Sequence, residues 1–137
     1  MGKKQPRYES ELDKFHSWID NLKNASETSI ILVEGKNDKK ALESFKIKNV
    51  YCLRGAIFQT VEFIASKNKE CILLVDLDAE GRKLHARLLT DLQANGVKVN
   101  TRFRKLLFAT KIRNIEAIPK YLERHLTLNP RKRPSWF

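Results

Sequence analysis

The sequence predicts an α/β fold, a three-layer Rossmann-like sandwich around a mostly parallel central sheet of four to five strands. Short continuous apolar runs, typical of strands buried on both faces, alternate with segments whose apolar residues recur at helical spacing. This alternation favours parallel pairing through right-handed crossovers, with helices on both faces of the sheet. The three strongest runs cover residues 30–33, 50–53 and 71–75.

Four helical patterns accompany these strands. The first covers residues 11–22 and precedes the first strand, and Asn37 is the predicted N-cap of the second. The third follows the second strand, and the fourth ends at Asn95-Gly96, a typical helix stop. Their apolar faces comprise, in order, Leu12, Phe15, Ile19 and Leu22; Ala41, Leu42 and Phe45; Ile57, Val61, Ile64 and Ala65; and Leu84, Leu88 and Leu92.

The last third of the chain is less regular. Residues 97–99 predict a fourth, half-exposed strand, and residues 106–109 form a short apolar run in which Phe108 fits a further strand. Ile118-Pro119 predicts the start of a last helix, because proline suits the first helical turn. We therefore expect a core domain over residues 28–128, preceded by a basic lead and a packed helix (1–27) and followed by a basic tail (129–137).

Charge predicts the kind of partner. The chain has 137 residues, room for one domain, and its 27 Lys and Arg against 16 Asp and Glu give a formal net charge of +11. Because cationic side chains release counterions from phosphates, nucleic acid is the leading predicted partner. An acidic protein or an anionic membrane surface remains an alternative. A protein partner could use the N-terminal helix or the C-terminal tail, and the oligomeric state stays open.

The sequence also predicts a cytoplasmic protein without a membrane span. No stretch approaches the roughly 20 apolar residues that cross a bilayer, and the polar N-terminus lacks the apolar run of a secretory signal. Cys52 and Cys71 each lie within an apolar run, which favours buried, reduced thiols over a disulfide or a metal site.

Acidic residues end two of the predicted strands. Glu34 follows the first strand, and Asp76 and Asp78 follow the third. Ligands of open parallel sheets bind at the carboxyl ends of strands, so these three side chains could converge on one Mg²⁺ site. Gly35 and Gly81 would permit the sharp turns that follow, and the helix after Gly81 could direct amides at a phosphate. The alternative is that these are ordinary turn residues, which are frequent in α/β loops.

At these residues the sequence resembles the Toprim domain, shared by type IA and type II topoisomerases, bacterial-type primases, small nucleases and recombination-repair proteins. Residues 32–38 read Leu-Val-Glu-Gly-Lys-Asn-Asp, and residues 74–81 read Leu-Val-Asp-Leu-Asp-Ala-Glu-Gly. The resemblance covers roughly residues 28–118. It implies the Toprim fold, with Glu34, Asp76 and Asp78 as catalytic residues. It further implies that these three, with Glu80 assisting, bind Mg²⁺, which Mn²⁺ could replace.

Among these proteins, the sequence is most similar to short stand-alone Toprim proteins and to the nuclease that matures 5S ribosomal RNA, in which a glutamate matches Glu116. We therefore expect Mg²⁺-dependent phosphodiester chemistry, by a small nuclease acting on RNA or DNA. The alternative is a non-catalytic nucleic-acid-binding module of an RNA-processing or replication complex. A receiver-like phosphoacceptor domain fits less well, since the required order of aspartates and lysine is not present. No zinc-finger spacing or topoisomerase tyrosine domain is evident.

Basic residues flank the predicted site. Single side chains of this kind are often only solvated surface charges, but near a carboxylate site they could contact phosphate oxygens. A second basic stretch, residues 102–113, contains Phe103 and Phe108, which could stack on bases. None of the three histidines is assigned to catalysis or metal binding. The predicted nucleic-acid-binding residues are Lys36, Arg54, Arg82, Lys83 and Arg113.

Overall fold

The central sheet has four strands, all parallel. The computed structural model describes residues 11–67 and 70–128, so the basic lead and the tail 129–137 lie outside the described residues. The strand order is β2-β1-β3-β4, and three parallel pairings join the strands. The strands are β1 (Ile30–Val33), β2 (Val50–Cys52), β3 (Glu70–Leu73) and β4 (Lys98–Asn100).

Six helices surround this sheet within the described ranges. Each of the three crossovers between the four strands contains a helix, as is usual for parallel pairing. The helices are α1 (Glu11–Ala25), α2 (Lys36–Glu43), α3 (Ile57–Lys67), α4 (Ala79–Ala94), α5 (Arg102–Phe108) and α6 (Ala117–Leu128).

Two apolar layers cover the sheet and confirm the predicted three-layer α/β fold. One face of β1 and β3, including Ile31 and Ile72, packs against α1, α2, α5 and α6. The opposite face, including Leu32 and Leu73, packs against α3 and α4. Because the two central strands are covered on both sides, their carboxyl ends are held side by side. The register Leu32↔Leu73 sets their relative position.

The expectation of a strand near Phe108 is wrong. The segment forms helix α5, which Asn100 helps to start by accepting a hydrogen bond from the amide of Arg102 at 2.9 Å. Phe103 and Leu107 are four residues apart and contact the same apolar layer as α1. This is helical spacing, but it is hard to see in the sequence because residues 106–109 are all apolar. The described residues therefore contain four strands and no fifth.

Helix α2 begins two residues earlier than expected. Gly35 rather than Asn37 is its N-cap, because the carboxylate of Asp38 accepts a hydrogen bond from the Gly35 amide at 3.2 Å. Gly35 has φ −128°, which any residue adopts, so the expected conformational need for glycine is absent here. Similarly, α4 begins at Ala79 and not after Gly81.

Both cysteines are free thiols in strands, as expected. Cys71 is fully buried in β3, and burial raises the pKa of its thiol to about 12. Cys52 is only half-buried, at the edge strand β2. In the described part of the chain, no helix combines the length and apolar character needed to cross a membrane.

Candidate functional site

The carboxyl ends of β1 and β3 bring Glu34 and Asp76 to the same edge of the sheet. The pairing continues one residue beyond β3, since the Leu74 amide donates to the Leu32 carbonyl at 2.9 Å. Val75, the residue before Asp76, is buried. Glu34 leaves β1 directly after Val33. The two acidic residues therefore follow adjacent strands that are hydrogen-bonded to each other.

Glu34 lies in an electrostatic environment dominated by other carboxylates. Burial raises the pKa of its side chain, and Asp76, Asp78 and Glu80 raise it further, in that order. The Glu34 carboxyl group therefore lies close enough to three other acids for their charges to disfavour its ionisation.

Asp76 is held by the backbone of a distant segment. Its Oδ1 accepts a hydrogen bond from the amide of Ile115 at 3.1 Å, across 39 residues of sequence. Burial raises the pKa of Asp76, with smaller contributions from the charges of Asp78 and Glu116, and the Ile115 hydrogen bond opposes them. The loop before α6 thus orients the carboxylate and brings Glu116 near it.

Asp78 has a structural role as well as a place in the site. Its Oδ1 caps helix α4 by accepting a hydrogen bond from the Gly81 amide at 2.7 Å. Gly81 is required here because a Cβ would overlap the carbonyl oxygen of Asp76, not because of its backbone angles. The Gly81 amide is therefore committed to Asp78.

Asp38 is a site residue that sequence reasoning did not identify. Only 6% of it is exposed, and burial, followed by the charge of Asp76, raises its pKa to about 6. Glu34 and Glu116 add to the rise. The available signal was its spacing: four residues after Glu34 on a helix that starts at Lys36, its side chain returns to the same edge of the sheet.

Arg104 also lies at the site, and no local pattern in the sequence predicts its position. Its Nε donates to the Val75 carbonyl at 2.8 Å and its Nη2 to the Asp76 carbonyl at 3.0 Å. Burial lowers its pKa, as does the charge of Arg82, while Asp76 raises it. The guanidinium group also lies over the ring of Phe108, 5.4 Å from its centroid. Arg104 thus joins α5 to the chain that carries Asp76.

Six carboxyl groups interact at this edge, and we call them the carboxylate cluster. Neither of the two ion pairs found in the described ranges, Lys48–Glu27 and Arg87–Asp91, includes a member. Within residues 11–67 and 70–128, no three His, Cys, Asp or Glu side chains are already arranged at metal-ligand spacing. The members are Glu34, Asp38, Asp76, Asp78, Glu80 and Glu116.

The predicted basic residues are exposed around this edge but are not equally placed. Lys36 opens α2, and Arg82 and Lys83 lie in the first turns of α4, beside the cluster. Arg54 lies two residues after the end of β2. The residue between them, Leu53, donates its amide to the Glu34 carbonyl at 3.3 Å. Arg113 uses Nη1 to bond the carbonyls of Thr110 and Ile112, so part of its guanidinium is engaged locally.

These features define a parallel α/β domain with an acidic site at the carboxyl ends of its two central strands. A model of the Toprim domain matches residues 29–110, and the chain belongs to this family. The resemblance recognised in the two sequence motifs is therefore confirmed.

Sequence relatives are also found. It is 31% identical over 126 residues to the UPF0292 protein MJ1624 of Methanocaldococcus jannaschii, covering 88% of this chain and 98% of the relative. It is 31% identical over 82 residues to the UPF0292 protein PF1724 of Pyrococcus furiosus, covering 59% of this chain and 61% of that protein.

Two solved structures from Aquifex aeolicus share the fold. One small protein is 42% identical, with a TM-score of 0.71, and the match covers 74% of this chain and 94% of that one. The zinc-binding and RNA polymerase domains of the primase are 21% identical with a TM-score of 0.52. That match covers 93% of this chain but 34% of the primase chain, and it concerns the fold alone.

Proposed function

We propose that this protein is a Mg²⁺-dependent nuclease that acts on RNA or DNA through the carboxylate cluster. Toprim domains commonly bind Mg²⁺ in enzymes that act on nucleic acids. The observation that carries the proposal is the electrostatic coupling of Glu34 with Asp76 and Asp78 where two adjacent parallel strands end, in a chain of net charge +11. A local excess of acids within a basic protein fits a cation bound beside a polyanion.

The side chains present fit a hard divalent cation. All donors in the cluster are carboxylate oxygens, which Mg²⁺ prefers over nitrogen and sulfur. Burial raises the pKa of Glu34 and Asp76, and repulsion from neighbouring carboxylates adds to the rise. A bound cation would offset that repulsion. Asp76 and Asp78 are the proposed principal ligands, since the hydrogen bonds described for them engage one oxygen of each carboxylate. Glu34 and Glu80 are proposed to complete the site.

The chain's own residues would supply the proton transfer and the positioning. Mg²⁺, when bound, neutralises charge on the phosphate that reacts. Glu34 is the proposed general acid or base, because its pKa is raised towards neutral pH. Proton transfer is most effective when the pKa of the catalytic group lies near the working pH. Lys36, Arg82 and Lys83 would hold flanking phosphates by charge-assisted hydrogen bonds. Arg54 and Arg113 are proposed to contact the strand further from the cluster.

A cleavage assay tests this function. End-labelled structured RNA and single-stranded DNA are incubated with the full chain and Mg²⁺ or Mn²⁺, and products are resolved on denaturing gels. We expect cutting that EDTA abolishes. Glu34→Gln should lose at least about a hundredfold in rate, the lower range for a missing proton-transfer group. The double variant Asp76→Asn/Asp78→Asn should lose cutting as EDTA treatment does, because it removes two proposed metal ligands.

Asp91→Asn is the matched control. Asp78 caps the N-terminus of α4, whereas Asp91 lies near the C-terminus of the same helix and pairs with Arg87. It should cut as the native chain does. If no substrate is cut while nucleic acid still binds tightly and with strong salt dependence, the catalytic proposal is wrong and the domain is a binding module.

A further inference from the structure

A groove lies along one edge of the sheet, outside the carboxylate cluster. Strand β2 forms this edge, and the groove, of about 420 Å³, opens between β2, α2 and α3. Its lining mixes aromatic, polar and cationic side chains. These include Lys39, Tyr51, Arg54, Gln59, Thr60 and Phe63.

Two aromatic rings in this groove are unusually exposed. Tyr51 is 36% exposed and Phe63 is 41% exposed, although both belong to regular elements that pack on the core. Their rings form a tilted pair with centroids 5.5 Å apart. A ring pair left open to solvent beside a groove offers π-faces to a planar ligand.

The charges in the groove have one sign. Lys39 and Arg54 line it, and none of its lining residues is acidic. The Arg54 backbone is held in place by Thr60, whose hydroxyl interacts with both the Arg54 amide (3.4 Å) and its carbonyl (3.5 Å). The groove therefore favours a ligand that combines flat rings with negative charge. An anion without rings would leave the aromatic faces unused, and an apolar ligand would leave the two cations unpaired.

The groove is joined to the carboxylate cluster through the backbone. The Lys39 amide donates to the Gly35 carbonyl at 3.1 Å, and the Leu53 amide, one residue before Arg54, donates to the Glu34 carbonyl at 3.3 Å. Both cations thus stand on segments that are bonded to the turn carrying Glu34. The groove therefore borders the segment that carries Glu34.

We propose that this groove binds single-stranded nucleic acid, with bases stacked on Tyr51 and Phe63 and phosphates on Lys39 and Arg54. The assignment deepens the proposed function, on which its second half rests: the groove delivers an unpaired strand to the carboxylate cluster. A duplex hides the faces of its bases, whereas an unpaired strand presents them to aromatic side chains. The substrate class is therefore a single-stranded RNA or DNA segment.

Binding in EDTA tests the groove without any metal chemistry. Fluorescence anisotropy measures the affinity of the full chain for labelled oligothymidylate, oligouridylate, an abasic strand and a duplex. We expect the base-containing single strands to bind best. Tyr51→Ala/Phe63→Ala should weaken them by about tenfold or more, the effect of losing stacked bases, and should leave the abasic strand unchanged. The two base-containing arms show whether RNA or DNA is preferred.

Phe58→Ala is the matched control, because Phe58 is 60% exposed on the same helix but does not line the groove. It should bind as the native chain does. Tyr51→Leu/Phe63→Leu keeps apolar bulk should the alanine pair fail to fold, and it should also lose base-dependent affinity. Lys39→Gln/Arg54→Gln should flatten the slope of log affinity against log salt by about 1.4, the value for two single-strand phosphates.

The inference is overturned if the native chain binds the duplex or the abasic strand as tightly as the base-containing strands. It is equally overturned if the aromatic variants bind every strand with the affinity of the native chain. An effect of these variants on self-association or on protein binding alone would also count against it. Failure of the proposed function gives a different result: base-dependent binding would persist while Glu34→Gln and the native chain are equally unable to cut.

Discussion

Asp38 shows how a single buried side chain can be shaped by its neighbours. It caps α2 through the Gly35 amide, yet it stands 6% exposed among other acids, with its pKa raised to about 6. A group so placed opposes folding when it is ionised. Its position beside Asp76 and Glu34 supports the proposed cation site, where a cation would offset that cost.

The pH dependence of stability should reveal Asp38. The unfolded side chain ionises near 3.8 and the folded one near 6, so the native chain loses stability as pH rises between these values. Asp38→Asn removes this loss while its amide oxygen can still accept from Gly35. In EDTA, urea denaturation should show the variant more stable by up to about 3 kcal/mol at pH 7.5 and no more stable near pH 4. A difference that is constant over this range would contradict the assignment.

The two motif glycines should respond differently to alanine. At Gly81 a Cβ would overlap the Asp76 carbonyl oxygen, which is backbone and cannot rotate away. Gly81→Ala should therefore cost about 1–3 kcal/mol of unfolding free energy. At Gly35 the nearest atom to a new Cβ is Asp38 Oδ2 at 3.8 Å, an ordinary contact, so Gly35→Ala serves as the control. Thermal unfolding measures both, and equal losses would refute the steric explanation.

At the scale of elements, helices from distant parts of the chain converge behind the site. Arg104 joins α5 to the end of the β3 segment, and the Ile115 amide joins the loop before α6 to Asp76. Glu11, at the start of α1, accepts from the Lys111 amide at 3.0 Å and from the Tyr121 hydroxyl at 2.8 Å. The segment from α5 to α6 is thus fastened both to the site and to α1.

Glu11 should contribute stability that depends on its charge. Its pKa is lowered, first by the Lys111 amide and then by the Tyr121 hydroxyl, so its stabilisation is full above the unfolded pKa and is lost as pH falls through the folded value. Glu11→Gln should cost about 1 kcal/mol at pH 7, with the gap closing in acid. Denaturant titrations at pH 7 and below pH 4 measure this. Glu62→Gln, an exposed acid on α3, should show no such gap; a gap that persists unchanged in acid would argue against the ionised form as the cause.

At the scale of the whole molecule, charge is unevenly distributed. The chain carries +11 overall, yet six interacting carboxyl groups lie at one sheet edge. The basic residues would attract nucleic acid from a distance, whereas the cluster alone would repel its phosphates. A bound cation removes this conflict, so metal binding and nucleic-acid binding are expected to strengthen each other.

Divalent metal should stabilise the folded chain. A ligand that binds only the folded state adds about 2.7 kcal/mol at a hundred times its Kd, so Mg²⁺ should raise the Tm of the native chain in a concentration-dependent way. Asp76→Asn/Asp78→Asn should lose this rise, while Asp91→Asn keeps it. Differential scanning calorimetry with Mg²⁺ or EDTA, at constant ionic strength, provides the measurement. A rise of equal size in all three chains would place the cation elsewhere.

The order of elements followed from local patterns. The apolar runs of β1 and β3 and the spacing of residues such as Val61 and Ile64 specified the fold class, because burial on two faces or on one helical stripe leaves a periodic signature. The α5 helix was missed because a seven-residue helix has too few turns to show that period. The predicted strand ends were approximate for a different reason: hydrogen bonds between strands, not composition, decide where a strand ends.

By itself the sequence determined the parallel α/β architecture, the Toprim motifs and the placing of Glu34, Asp76 and Asp78 after the first and third strands. Only the tertiary structure decided that these two strands are adjacent, that Asp38 is buried near these acids, that Arg104 binds the backbone carbonyl of Asp76, and that Tyr51 and Phe63 form an exposed pair. The physical reason is the range of the interactions. Periodicity and turn chemistry act over a few residues, whereas burial, charge coupling and ring contacts depend on which distant segments the strand order β2-β1-β3-β4 brings together.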